Sequence, residues 1–210
     1  MCADQRRALE VSDIGNLLCE TEKASSCGSL SIELQTTKNI FALMFLLRGI
    51  PFVDLAYLRK ADIQGNTLKY RRRKTGRLLT VMLTPDAIKL IRIVAKTKPE
   101  SPYLFPFLSS PEGTEAAYHE YQSSLRMFNY RLSRLKKYMK TAAHLSSYTI
   151  RHTWATMAYY CEIHPGIISE AMGHSSIKVT ETYLKPFQNE KIDNANSQVI
   201  SYVKEYASIV

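Results

Sequence analysis

A single change of hydrophobic period constrains this chain more than any other feature. From Asn66 to Thr84 the segment NTLKYRRRKTGRLLTVMLT carries β-branched and aromatic residues on both sides of the turn KTGR, which predicts a hairpin. On either side of it, apolar residues recur at helical spacing. Leu34 to Arg48 reads as a buried helix, with Gly49 as the glycine just past its end. Pro51 opens the next helix, Pro51 to Arg59, on which Phe52, Leu55 and Leu58 recur at helical spacing. Pro85 to Ala95 is a further helix. A long one from about Glu115 to Lys140 places Leu125, Phe128, Leu132, Leu135 and Met139 on one stripe, with Arg131, Arg134, Lys137 and Lys140 largely off it. Four more helical patterns follow at Thr149 to Cys161, Pro165 to Met172, Ile177 to Leu184 and Asp193 to Tyr206, the third capped by Ser175 or Ser176. With no internal repeat, the predicted fold is mainly α with a small antiparallel β-sheet.

The two ends read differently. Residues 1–34 combine a short helical pattern, Val11 to Leu18, with a flexible break at Ser25, Ser26, Cys27, Gly28 and Ser29. The last helical segment sets Ile192, Ala195, Val199, Val203 and Tyr206 on one apolar face, which could pack at home or dock on a neighbouring subunit. Charge narrows the partner: 28 Lys and Arg against 19 Asp and Glu give +9, a field that favours a polyanion. Cys2, Cys19, Cys27 and Cys161 form no CxxC pair or zinc pattern and read as reduced thiols of a cytosolic, cytoplasmic protein. Cys161 and the methionines are assigned to the core. The N-terminus lacks the pattern of a secretory signal, and the longest apolar stretch, around Ile40 to Leu47, falls far short of a membrane span, so no membrane partner is expected.

The stretch SSYTIRHTWAT, followed by EAMGHSSIKVTETYLKPF, carries the chemistry. It resembles the C-terminal signature of the tyrosine recombinase (phage integrase) family, in which an arginine helix precedes a Leu-Gly-His-Ser-Ser turn and a helix bearing a nucleophilic tyrosine. The matching positions are Arg151, His174 within MGHSS, and Tyr183 within TETYL, with the tyrosine nine residues after the histidine as the family spacing requires. Upstream, FLLRGIPFVDLAYLRKADI and the hairpin turn KTG resemble the family too, and Lys74 sits where its catalytic hairpin lysine belongs. The resemblance runs over roughly residues 6–200, and its style is closest to integrases of Bacteroides-type mobile elements.

The resemblance implies a site-specific recombinase that cuts and rejoins double-stranded DNA through a covalent 3′-phosphotyrosine, without a cofactor or metal. It also implies self-association on DNA, as a tetrameric synapse of the full-length protein. An N-terminal clamp on the other face of the DNA is implied as well, so the chain is expected to be part of a longer protein. In domain terms, 1–34 is a linker remnant and first helix, 35–190 a catalytic domain, and 191–210 a C-terminal helix suited to docking on a partner.

The residue types suit that chemistry. Attack of a phenol on a phosphodiester builds negative charge on phosphate oxygens, which fixed cations and donors must meet. Arg151 offers a planar fork of donors, and His174 a further donor. Lys74 can protonate the departing 5′ oxygen as general acid. Tyr183 would retain the DNA covalently until another 5′-hydroxyl reverses the step.

Two positions depart from the family pattern. The usual His-x-x-Arg is here Tyr148-Thr-Ile-Arg151; a phenol near neutrality is a poor base but a good donor, so Tyr148 is expected to orient phosphate. Aligning FVDL with the usual I-S-E-L puts Pro51 where the family's first arginine belongs. Arg48, three residues earlier, is the candidate replacement, unless it only complements the helix C-terminus. A lone tyrosine among 13, or a lone histidine, would ordinarily be structural; the ordered set is what singles these out. His152 and Trp154 read as buried supports. The run Lys69, Arg71, Arg72, Arg73, Lys74 would ordinarily be a solvated basic face; on a hairpin carrying Lys74 it is expected to track a DNA backbone, with alternate members pointing away. The competing functions are a catalytically weakened DNA-binding or regulatory module of the same fold, and a type IB topoisomerase-like enzyme.

Overall fold

The second half of helix α2 (Ile32–Leu46), from Ile40 on, is apolar on every side and therefore runs through the middle of the molecule, with Phe41, Ala42, Leu43 and Met44 fully buried. The computed structural model describes residues 8–19, 30–97, 99–139, 141–182 and 189–207. Among these, α1 (Val11–Cys19) precedes α2, and α3 (Phe52–Ala56) leads through a 3₁₀ turn at Lys60–Asp62 into the sheet. The sheet comprises β1 (Ile63–Gln64), β2 (Thr67–Arg71) and β3 (Leu78–Met82). Helices α4 (Pro85–Val94), α5 (Glu115–Met139), α6 (Thr149–Tyr160), α7 (Pro165–Ala171), α8 (Ile177–Glu181) and α9 (Asn189–Ala207) follow. Helices α4, α5 and α6 all pack on α2, giving the mainly helical architecture expected.

The sheet is antiparallel in the order β1-β2-β3, with Leu68 opposite Val81 and Tyr70 opposite Leu79. These four residues are buried while Lys69, Arg71 and Thr80 between them are exposed, so the period of two decides which face meets the helices. The same alternation carries Arg72 inward, just past the end of β2.

The junction after α2 differs in detail from expectation. Leu47 caps the helix, and the left-handed residue just past it is Arg48 (φ 60), with Gly49 (φ 67) continuing the same conformation. The amides of Gly49 and Ile50 both donate to the Met44 carbonyl, closing the helix end. Gly49 is needed for a second reason: a Cβ there would lie 3.0 Å from the Cα of Arg151 and 3.2 Å from the Cβ of Trp154. The backbone passes directly against α6, leaving no room for a side chain.

Helix α3 is shorter than the predicted Pro51 to Arg59. Beyond Tyr57 the chain straightens: the Leu104 amide donates to the Leu58 carbonyl and the Lys60 amide to the Pro102 carbonyl. These bonds to the 102–104 loop take the backbone groups that a continued helix would use. Phe52, Leu55 and Leu58 are nonetheless all buried, with Phe52 stacked on Phe128 of α5 at 4.8 Å.

A second, smaller core joins α6, α7 and α8, where Ala155, Ala158, Ile168 and Met172 pack with Trp154, Tyr159 and Val179. Several assignments made from sequence do not hold. Cys161 is exposed, because it falls at the end of α6 beyond the packed face. Met82 and Met127 are also exposed, whereas Met44 and Met172 are core. His152 and Trp154 are half-buried. The apolar residues Ile192, Val199 and Val203 of α9 stay exposed, and so do Ile200 and Tyr202. No helix among the described residues is long and apolar enough to cross a membrane.

Candidate active site

Arg151 lies in the first turn of α6, whose start is fixed by Thr149: its hydroxyl donates to the His144 carbonyl and accepts from the Ser146 amide. From there the Arg151 side chain runs inward and is 1% exposed. Its Nη1 donates to the Gly49 carbonyl at 2.8 Å. Its Nη2 donates to the Met172 carbonyl at 2.7 Å and faces Nε2 of His174 at 2.8 Å. The left-handed pair Arg48 and Gly49 thus presents a carbonyl to the guanidinium.

Met172 ends α7, and Gly173 (φ 65) turns the chain so that the His174 amide donates back to the Ser169 carbonyl at 3.0 Å. This return fixes the imidazole, which is 4% exposed, between Arg151 and Thr180 of α8. A guanidinium can only donate, so Nε2 of His174 is the acceptor and the proton sits on Nδ1, donating to the Thr180 hydroxyl at 2.8 Å. Burial, followed by the charges of Arg151, Arg72 and Lys74, lowers the His174 pKa to about 4.

A consequence for stability follows. Between about 6.5, the ordinary histidine value, and about 4, the unfolded chain binds a proton that folded His174 refuses. Stability from this residue is therefore fully present above the upper value and is lost as pH falls through the window. Urea unfolding at pH 7 and pH 5 should show the parent losing about 2 kcal/mol more than His174→Gln on acidification. Equal losses in the two proteins would mean that His174 is not held neutral.

The hairpin closes over the same turn. Three successive carbonyls at the end of α7, which have no helical partner, accept from three hairpin side chains. Nε of Arg72 donates to Met172 at 3.3 Å, the Thr75 hydroxyl to Gly173 at 3.1 Å, and Nη1 of Arg77 to His174 at 2.7 Å. Arg72 is further held by Asp54 of α3, Nη1 to Oδ2 at 2.6 Å, and the second Asp54 oxygen accepts from the Arg73 amide at 3.0 Å.

Of the residues singled out from sequence, Arg151 and His174 are brought into direct contact. Lys74 is exposed at the hairpin turn, between the Arg72 and Thr75 contacts, and close enough for its charge to act on His174. Arg48 turns elsewhere, its Nη1 donating to the Thr80 carbonyl of β3 at 3.2 Å. Tyr148 is 48% exposed at the start of α6, with its ring edge-on to His152 at 5.2 Å. Tyr183 lies outside the described residues; Thr182, just before it, caps α8.

Arg72, Asp54, Thr75, Arg77 and Thr180 were not singled out from sequence as parts of the site. Two signals were present: the period of two puts Arg72 on the same face as Leu68 and Tyr70, and Asp54 sits among the apolar residues of a buried helix, where a carboxylate needs a partner. Among the described residues, no group of three or more His, Cys, Asp or Glu could hold a metal ion.

The model of the phage integrase family matches residues 12–190. Among solved structures, the fold is similar to XerA recombinase, at 15% identity and TM-score 0.63, covering 94% of this chain and 65% of that one. It is similar to the Tn1549 transposon integrase in complex with circular intermediate DNA, at 16% identity and TM-score 0.62, covering 91% and 66%. It is also similar to a lambda integrase dimer bound to a COC′ core site, at 15% identity and TM-score 0.52, covering 85% and 59%. The chain therefore spans 59–66% of the length of these three structures. At these identities the likeness establishes the fold. No curated protein matches the chain in sequence.

Proposed function

The chain belongs to the phage integrase family, and on that premise we propose that it breaks and rejoins DNA strands as the catalytic part of a site-specific recombinase, with Tyr183 as nucleophile. The observation that carries this reading is the contact of Arg151 with His174, two motif residues 23 positions apart. They meet in a buried, positively charged recess that the Lys74 hairpin closes.

In the proposed reaction the Tyr183 phenol gives up its proton to solvent water as its oxygen bonds to phosphorus, and the bond from phosphorus to the 5′ oxygen breaks. Lys74 gives its proton to that oxygen. Negative charge gathers on the non-bridging oxygens. A phosphate oxygen is a stronger acceptor for a guanidinium than the carbonyl and imidazole now bonded to Nη2 of Arg151, so it would displace one of them. Released from Arg151, His174 can present an N–H at Nε2, because the Thr180 hydroxyl can donate to Nδ1 as well as accept from it.

The partner in this reading is double-stranded DNA. The exposed apolar side chains Val199, Ile200, Tyr202 and Val203 of α9 suit docking on a second copy during assembly on that DNA. A mobile-element integrase of Bacteroides type, working in the cytoplasm, is the setting that the motif style supports.

The test is a covalent trap. The 210-residue chain is mixed with a pool of nicked random-sequence duplexes in the presence of EDTA, and protein bound to DNA under denaturing conditions is recovered. Adducts that survive EDTA are expected. DNA binding without any adduct would favour a non-catalytic module of the same fold, a reading to which the arginine missing at Pro51 lends weight. Cleavage that requires added magnesium would point to a nuclease.

A further inference from the structure

We propose that Arg72 supplies the second guanidinium that grips the scissile phosphate, the role the family pattern puts at the position of Pro51. The inference rests on the strand-breaking reading above and adds a residue to it. A chain with proline at that position has lost a donor to the developing charge, and some other group must offset the loss.

The geometry points to Arg72 rather than Arg48. Two guanidinium groups, those of Arg72 and Arg151, converge on one neutral oxygen, the Met172 carbonyl, at 3.3 and 2.7 Å. Two like charges brought to one uncharged acceptor repel each other, and a bound anion would relieve that repulsion. The carboxylate available to Arg72 is Asp54, which stands three residues after Pro51, the position where the family arginine is expected. An arginine arriving from the hairpin thus occupies the neighbourhood that the local sequence leaves without one. Nε and Nη1 of Arg72 are fixed by Met172 and Asp54, whereas Nη2 has no hydrogen-bond partner among the described residues, although the residue is only 6% exposed. A planar fork with two nitrogens anchored and the third, Nη2, unused is oriented for a further acceptor. Arg48, by contrast, donates to the backbone carbonyl of the exposed residue Thr80 on β3.

Arg72 could instead serve only to tie the hairpin to α3, and the test must separate the two roles. The duplex recovered by the covalent trap is prepared with either an ordinary phosphodiester or a methylphosphonate at the cleaved position; the latter lacks one charged oxygen. Arg72→Ala is compared with R72Q/D54N, which leaves no buried carboxylate unpaired should the single variant fail to fold. Both variants are expected to cleave the diester about 100-fold more slowly than the parent, yet to fall within roughly tenfold of it on the methylphosphonate, where there is less charge to meet.

Equal losses on the two substrates would overturn the inference, since a tether for the hairpin is indifferent to phosphate charge. A diester loss below about threefold in the folded double variant would overturn it as well. So would the charge-selective loss appearing in Arg48→Ala instead. A parent chain that yields no adduct from the random pool defeats the strand-breaking reading itself, an outcome distinct from all of these.

Discussion

Tyr183→Phe is expected to abolish the covalent protein-DNA adduct while leaving DNA affinity within a few fold of the parent. The substitution removes one oxygen from a side chain of nearly unchanged shape, and that oxygen is the atom that must bond to phosphorus. Affinity, in contrast, comes from many cations releasing counterions from the phosphate backbone, and a chain of net charge +9 loses none of them in this variant. The assignment rests on spacing together with an anchored neighbour. Thr180, three residues before Tyr183, is fully buried and bonded to His174 at 2.8 Å, so the helix leading to the tyrosine is tied to the site. Denaturing electrophoresis after incubation with a nicked duplex reads the adduct, and peptide mass mapping locates it. An undiminished adduct in Tyr183→Phe would remove Tyr183 from its role. Tyr148, exposed beside the first turn of α6, would then be the next tyrosine to test.

Much of this site was legible in the sequence because its parts are short and local. The pattern of α6, the glycine turn and α8 depends on periodicity and on one obligatory left-handed residue, Gly173, each of which leaves a mark within a few positions. The hairpin was legible for the same reason, although the two-residue β1 was too short to signal itself.

What remained hidden depends on pairings between distant segments. Nothing near Arg72 announces that Asp54 and Met172 will hold it, and the five-residue cationic run obscured the one member that turns inward. The early end of α3 has the same origin, since the 102–104 loop takes its backbone bonds. Arg48 in a left-handed conformation beside Gly49 runs against local preference. Only the closeness of α6 explains why the glycine is needed at the second position rather than the first. Cys161 misled because frequent burial of free cysteine is a tendency across proteins, whereas the exposure of this one is set by its place at a helix end.

The second large effect is expected at Arg151. Arg151→Ala should slow cleavage by two to three orders of magnitude, the usual loss when a preorganised donor to a developing oxyanion is removed. His174→Ala should fall in the same range. The alanine variant at 151 carries a structural penalty besides: the buried carbonyl of Gly49 would lose its donor, at about 1–3 kcal/mol, while that of Met172 keeps the one from Arg72. A slow Arg151→Ala therefore does not by itself separate chemistry from folding, and Arg151→Lys is the sharper variant. Lysine keeps the charge, but its single nitrogen cannot reach the Gly49 carbonyl, the Met172 carbonyl and His174 together as the guanidinium does. If Arg151 grips phosphate in two places, Arg151→Lys should unfold closer to the parent midpoint than Arg151→Ala and still cleave at least about tenfold more slowly than the parent. Near-parent cleavage by Arg151→Lys would show that only a positive charge is required there, and near-parent cleavage by Arg151→Ala would end the assignment of this recess as the phosphate site.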